Sequence, residues 1–580
     1  MNRPTPRPAS QPGPPPTAAL LGLLGVLAVA AALWVAVAAG AAATGAPIPH
    51  NPIVLPLQLA SGMRSWPGWV ATLVAVAELA AAAGLLVVGL RLATRLRARR
   101  SWVDHTAQSL ARPGELTGLT PRDAQVRAAR LAPGLSGGPE THGSLHGYTV
   151  TGNVAIRSSW EDVKVVLAGT RVGKTSSQCI PEVVDAPGAV VATTNRRDLV
   201  DATRDVRATR GTVWVFDPND ILGEAPTWWV NLLAGVSTIT AARELAGHFV
   251  ASARDADARP DSFFDPEGEE LLANYLLAGA LSKMSLLDTV GWLYRPGDRT
   301  AVDVLARHGF TLSAAKLAGT LDYPDKQRAG ILGVGRKLVD VLAEPTVARW
   351  VNPPPTGHLP EFTPERFAAT TDTLYLVSQE GPGSAAPLVA ALTAAILDSA
   401  VADAGHTAGG RLPVPLVLVL DEAANVCRIR SLPDKYSYYG GMGIVISTVL
   451  QSYAQGVQAW GEAGIRKMWS AANVRIYLGG VSERGFLDDV SALIGDHRVQ
   501  EISQTHSQGA QWSRSIGSRS ERILDVADLA ALPRGRALVF SSGNRPTLIR
   551  TVPWWEGPHA DAIRSSMAAH GPGIELPTPR

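Results

Sequence analysis

The sequence predicts an α/β fold with a phosphate-binding loop, carried behind two membrane-spanning helices. Three observations predict it. Two long apolar runs lie in the first hundred residues. Beyond them, short β-branched strands alternate with helical stretches. One of those strands opens directly into a glycine loop closed by Lys174-Thr175. At 580 residues the chain is too long for one compact core and predicts several domains. A hydrophobic content of 46% against 18% charged residues favours membrane segments plus a large core over disorder.

The N-terminal Met1–Thr17 segment is Pro-rich and polar and is expected to be disordered. The uncharged run Ala18–Ala43 exceeds the roughly 20 helical residues needed to cross a ~30 Å hydrocarbon layer. A second run, Trp66–Leu92, is followed by Arg95, Arg97, Arg99 and Arg100. A cleaved signal peptide has a shorter apolar region and no second span with a basic stop behind it. Arginines flank the pair of spans, and the connecting loop holds one, Arg64, so both termini are expected in the cytoplasm. The chain is thus expected to be a multi-pass protein of the cytoplasmic (inner) membrane, with lipid as a partner. Glu78 falls inside the second span, and two readings stand: a contact between helices of an oligomer, or a neutral group near an edge.

Residues 1–100 hold eight arginines and one acid, which leaves a net −5 on residues 101–580. Bulk positive charge is therefore excluded as a basis for nucleic-acid binding, and any such contact must be local. Cys179 and Cys427 stand far apart, outside any CxxC or Cys/His cluster, and read as core thiols, not a disulfide or a zinc site.

Val163–Leu167 reads as a buried strand. It runs into Ala168-Gly169-Thr170-Arg171-Val172-Gly173-Lys174-Thr175, and Ser176 onward suits a helix start. Strand, glycine loop and helix is the context in which backbone N–H groups cradle phosphates. Gly169, Thr170, Arg171, Val172, Gly173, Lys174, Thr175 and Ser176 are the candidate ATP contacts. In this chemistry Lys174 reaches the outer phosphates and Thr175 ligates Mg²⁺. Ala168 replaces the first glycine of the usual pattern, a conservative departure. A second apolar strand, Leu416–Leu420, ends in Asp421-Glu422. Asp421 is the candidate Mg²⁺ residue and Glu422 the candidate general base; read alone, these acids would equally serve as helix N-caps. A third strand, Gly443–Leu450, ends at Gln451, whose amide is placed to sense the outer phosphate. Catalysis is thus expected from Lys174, Glu422 and Gln451.

Taken in order, these segments resemble the TraG/TraD-like coupling ATPases of type IV secretion and conjugation systems. The likeness includes Ile180-Pro181-Glu182, Val213–Pro218, Trp229–Leu233, Leu420–Asn425, Gln451–Gln455 and Tyr477–Gly480. The resemblance implies a RecA-like P-loop NTPase core with an inserted all-helical domain, preceded by two transmembrane helices. It assigns residues 18–100 to the anchor, 101–150 to a linker, 151–236 and 346–560 to the motor, 237–345 to the helical insert and 561–580 to a tail. It further implies a homohexamer that hydrolyses ATP and passes relaxase-bound single-stranded DNA to the channel components of a secretion system. Export of protein effectors, or a docking receptor without hydrolysis, are the alternatives. Two departures accompany Ala168. The strand before Asn195 lacks an Asp-Pro ending, and no arginine precedes the Gln451 strand, leaving Arg428 or Arg430 as the trans-acting candidates. The Ser/Gln/Gly-rich stretch Ser503–Arg522 reads as a mobile loop, either a DNA-facing or interface rim or a solvated insert, and Ala537–Phe540 as a late strand.

Overall fold

Strands buried on both faces have no polar side to show, so they appear in sequence as unbroken apolar runs. Such runs make the centre of this protein. A computed structural model describes residues 16–98, 101–132, 135, 142–253, 261–506 and 512–572. The chain divides into two units, Met1–Trp102 and Val103–Arg580. The expected disorder of the N-terminal segment lies outside the described residues except for the last two of them, which begin a helix.

The first unit is a pair of helices, Pro16–Thr44 and Gly68–Ala98, with a short helix Leu55–Ala60 between them. Both long helices contain windows long and apolar enough to cross a membrane. They approach through small residues: a Cβ added at Gly40 would lie 2.6 Å from the Ala71 Cβ. Trp34 Nε1 donates to the Pro49 carbonyl at 2.7 Å, tying the first helix to the connecting loop. A third helix, Ala386–His406, matches a span in length and composition, but its apolar side chains pack in the core of the second unit.

The strands of the second unit, in chain order, are β1 (Ser144–Thr149), β2 (Ala155–Ser158), β3 (Lys164–Leu167), β4 (Val190–Thr194), β5 (Val213–Phe216), β6 (Trp229–Val230), β7 (Glu361–Phe362), β8 (Thr373–Val377), β9 (Leu416–Leu420), β10 (Ile444–Leu450), β11 (Val474–Tyr477), β12 (Asp496–His506), β13 (Trp512–Arg522), β14 (Arg536–Ser541) and β15 (Thr547–Arg550). Eleven form one sheet in the order β2-β1-β15-β14-β11-β3-β10-β9-β4-β8-β5. From β11 to β5 every neighbouring pair is parallel, and β14, β15, β1 and β2 extend the sheet as antiparallel strands. Parallel strands put all their carboxyl ends on one edge, where ligand sites of open α/β sheets lie.

Between β6 and β7 the described residues form a block of helices from Ile239–Ala253 to Pro345–Ala348. Helix Phe264–Leu281 is its centre, with Leu271, Leu272, Leu276 and Leu277 buried, each worth about 1.5–3 kcal/mol. The block leaves the sheet through one joint. β6 and β7 pair as a short parallel ribbon, and Val230 N donates to Trp350 O at 2.9 Å. Trp214, Phe216, Trp228, Trp350 and Phe362 cluster there with ring centroids 5.1–6.0 Å apart.

Three stretches differ from their sequence reading. Residues 101–150, read as a linker, are largely folded. Thr120 caps helix Pro121–Leu131 in a capping box with Asp123, Asp104 pairs with Arg536, and β1 joins the sheet. Its polar, Pro-containing composition hid the cap. Ser503–Arg522, read as a loop, supplies all of β13 and the end of β12 in an antiparallel hairpin; residues 507–511 lie outside the described set. Its strands lack the apolar alternation by which strands are recognised. In the tail, helix Ala560–His570 packs on helix Asp198–Ala208, with Ser566 Oγ donating to Asp201 O at 2.6 Å. Residues 573–580 lie outside the described set.

Candidate active site

β3 delivers the glycine loop to the carboxyl edge of the sheet. Arg171 and Gly173 take left-handed φ values of +60° and +94°, so the loop folds back on itself before the helix begins at Thr175. That helix starts with one widened π turn, Thr175–Cys179, and continues as Ile180–Asp185; such turns concentrate at functional sites. The loop is braced from β11: Gly169 N donates to Gly479 O at 2.9 Å. A Cβ at Gly169 would stand 1.9 Å from Gly480 O, so glycine is required there. Gly480 itself has φ +74°.

β9 and β10 bring the other side chains. Lys174 Nζ pairs with Glu422 Oε1 and lies 3.4 Å from Asp421 Oδ1. Thr175 Oγ1 donates to Asp421 Oδ2 at 3.0 Å. Gln451 Nε2 donates to Glu422 Oε1 at 2.7 Å. Asp421 and Glu422 are 3% and 4% exposed, so these charges interact with little water between them. Glu422 holds φ +57°, a left-handed conformation costing a non-glycine residue on the order of 1–3 kcal/mol. The strain turns its carboxylate back toward Lys174 and Gln451. Burial raises the Asp421 carboxyl above its ordinary range, with Lys174 opposing and Glu422 adding to the rise. Burial opposes the charge on Lys174, but Asp421 and Glu422 outweigh it and hold the ammonium above its ordinary value.

The candidates Lys174, Thr175, Asp421, Glu422 and Gln451 therefore meet in one place. Thr170 and Arg171 lie exposed on the rim of the loop, and Val172, Gly173 and Ser176 are half-buried. Ser176 Oγ donates to Gly173 O at 3.2 Å. The trans-acting candidates lie elsewhere: Arg430 pairs with Glu269 at 3.0 Å, and the Arg428 guanidinium donates to its own helix at Ala424 O. Arg428 also lines a cleft of about 770 Å³ between the helical block and the motor, with Phe249, Lys337 and Asn425. Sequence reasoning missed Asn195 and Glu380, which enter the network through Asn425. Both follow strands at the same edge, the one signal that could have found them.

Behind the loop, Lys164 is fully buried and paired with Glu182 of the loop's helix. Ser447 Oγ lies 2.9 and 2.8 Å from the two Glu182 oxygens. Lys164 and Ser447 are register partners on β3 and β10. One carboxylate thus joins the helix bearing Lys174 to the strand ending in Gln451.

Residues 415–534, which include Asp421, Glu422 and Gln451, match the family model described as the TraM recognition site of TraD and TraG. Over that stretch, about a fifth of the chain, the sequence is similar to TraG and TraD. Its fold agrees: the bacterial conjugative coupling protein TrwBΔN70 in its trigonal form with sulphate is 16% identical, with 76% of this chain and 95% of that chain covered and a TM-score of 0.52. The unbound monoclinic form is also 16% identical, covering 70% and 88%, with a TM-score of 0.51. No curated protein matches the chain by sequence. The α/β core and the two apolar N-terminal helices agree with the sequence reading.

Proposed function

We propose that this TraG/TraD-like chain is a membrane-anchored ATPase that drives conjugative transfer of relaxase-bound single-stranded DNA into a type IV secretion channel. The supporting observation is the convergence of Lys174, Thr175, Asp421, Glu422 and Gln451 at the carboxyl edge of β3, β9 and β10. Thr175 and Asp421 offer adjacent oxygen donors 3.0 Å apart, a donor set that suits Mg²⁺. They would hold the metal, and residues 169–176 the ATP phosphates; bound there, the metal neutralises phosphate charge. Lys174 would balance the outer phosphate oxygens, Glu422 would accept the proton of the attacking water, and Gln451 would keep the Glu422 carboxylate oriented. The match to a TraM recognition segment supports a relaxosome partner. A homohexamer in the cytoplasmic membrane is the expected working state.

Lys174→Ala and Glu422→Gln separate binding from hydrolysis. Lys174→Ala should abolish high-affinity ATP binding. Glu422→Gln should bind ATP while hydrolysis falls about 10²–10⁴-fold, and DNA transfer between cells should fail in both. Normal transfer with either variant would refute the motor and leave a docking receptor. Hydrolysis that DNA does not stimulate, together with transfer of a protein reporter in place of DNA, would move the cargo to protein, a reading favoured by the net −5 on residues 101–580.

A further inference from the structure

Glu422 uses its two oxygens differently. Oε1 is engaged by Lys174 and by the Gln451 amide. Oε2 faces the Asn425 amide at 3.4 Å, too long for a strong hydrogen bond. The same Asn425 Nδ2 lies 2.9 Å from Glu380 Oε1. A second amide, Asn195 Nδ2, donates to that oxygen at 2.5 Å. A carboxylate accepts and cannot donate, so both asparagines must face it with their NH₂ groups. One amide, with two N–H donors, therefore bridges two carboxylates and is held closer to Glu380, at 2.9 Å, than to Glu422, at 3.4 Å.

Glu380 is exposed, yet its position is fixed by a built loop. Gly381 and Gly383 take φ +79° and +78° around Pro382, a backbone path that side chains disfavour. Asn219 clamps the loop from the end of β5: its Oδ1 accepts from Gln379 N and Ser378 Oγ at 3.2 Å each, and its Nδ2 donates to Gly383 O at 2.9 Å. Gln379 Nε2 closes it by donating to Pro382 O at 3.0 Å. A segment this constrained delivers one carboxylate to one amide.

We propose that Glu380 is a positioning residue for the Glu422 base: it holds the Asn425 amide off Glu422 and so leaves Oε2 open to a water molecule. The inference rests on the hydrolysis reading above. An amide closed on Oε2 would occupy that oxygen and exclude the water from it. Both acceptors are carboxylates, and charge-assisted hydrogen bonds are roughly twice as strong as neutral ones, so removing the charge on Glu380 leaves Glu422 the stronger partner for Asn425.

The test is a double-mutant cycle in steady-state ATP hydrolysis by the purified full chain. Glu380→Gln keeps the volume and removes the charge. It should lower kcat about tenfold with the ATP dissociation constant unchanged, because Asn425 then turns to Glu422. Glu380→Asp keeps the charge and should retain most of the activity. In an Asn425→Ala background, Glu380→Gln should change kcat less than about twofold. A loss of equal size in both backgrounds, or a dissociation constant that moves with kcat, would overturn the proposal while leaving the motor reading intact. A wild-type chain without hydrolysis would overturn both.

Discussion

Replacing Lys164 by Met strips the buried Glu182 of its cation. Lys164 is fully buried and Glu182 is 4% exposed, so water cannot take the lysine's place. Breaking a buried pair from one side costs about 3–5 kcal/mol, because the remaining charge stays desolvated. Replacing both partners with apolar groups is close to neutral, but here it would strand the Ser447 hydroxyl, which donates to Glu182. Removing that hydroxyl as well completes the repair. For a unit the size of Val103–Arg580 melting cooperatively, the unfolding entropy is on the order of 1 kcal/mol per kelvin. Lys164→Met should therefore lower Tm by about 3–5 °C, and Lys164→Met/Glu182→Leu/Ser447→Ala should lie within about 2 °C of the parent. Differential scanning calorimetry of the detergent-solubilised chain measures both. A triple variant no more stable than the single one would refute the account of this carboxylate as a charge held by its lysine. If the triple variant folds but its ATP turnover falls at unchanged ATP affinity, the network also sets the relation between Lys174 and Gln451.

Gly169→Ala would place a Cβ 1.9 Å from Gly480 O and push the loop off its β11 brace. Displacements on the order of 1 Å cost about 10² in rate, so ATP affinity should fall at least about tenfold, read by fluorescent-nucleotide titration; wild-type affinity would show that the brace is dispensable. Acid should destabilise the second unit through two imidazoles that burial pushes down, His146 to about 3 and His248 to about 4. The unfolded imidazole titrates near 6.5, so the unfolded chain binds the extra proton. Stability is full above about pH 6.5 and declines as pH falls toward those folded values, by about 2 kcal/mol per histidine at pH 5. Denaturant titrations at pH 7 and 5 should show His146→Gln losing about 2 kcal/mol less than the parent, and equal losses would exclude His146 as the source.

The parts of the site that follow single strands were legible in the sequence. β3, β9 and β10 are buried on both faces, so their apolar runs and the residues at their ends could be read directly. Lys174, Asp421, Glu422 and Gln451 came from that rule. Glu380 did not, because its loop follows β8 after a break of more than a hundred residues that contains the helical block, and no local pattern announces which strands become neighbours. Asn195 and Asn425 were given no role for the same reason. Lys164 was hidden differently: it stands inside a strand read as buried, and no local pattern names the partners, Glu182 and Ser447, that make a buried lysine intelligible. The hairpin β12–β13 escaped because polar residues occupy both alternating sets. The capping box at Thr120 was visible in principle, as Thr-Pro-x-Asp before a helix, but was outweighed by the composition around it.

The paired two-residue strands β6 and β7 have an architectural consequence. More than a hundred residues depart and return through neighbouring backbone positions, sealed by indoles, so the sheet senses the whole excursion as if it were a tight turn. A graft that preserves Trp228, Trp350 and Phe362, together with the face of the block that meets the motor through pairs such as Glu269–Arg430, could change the length of the excursion without altering strand order. Variation in the parts of the helical block that do not meet the motor is thereby separated from the carboxyl edge.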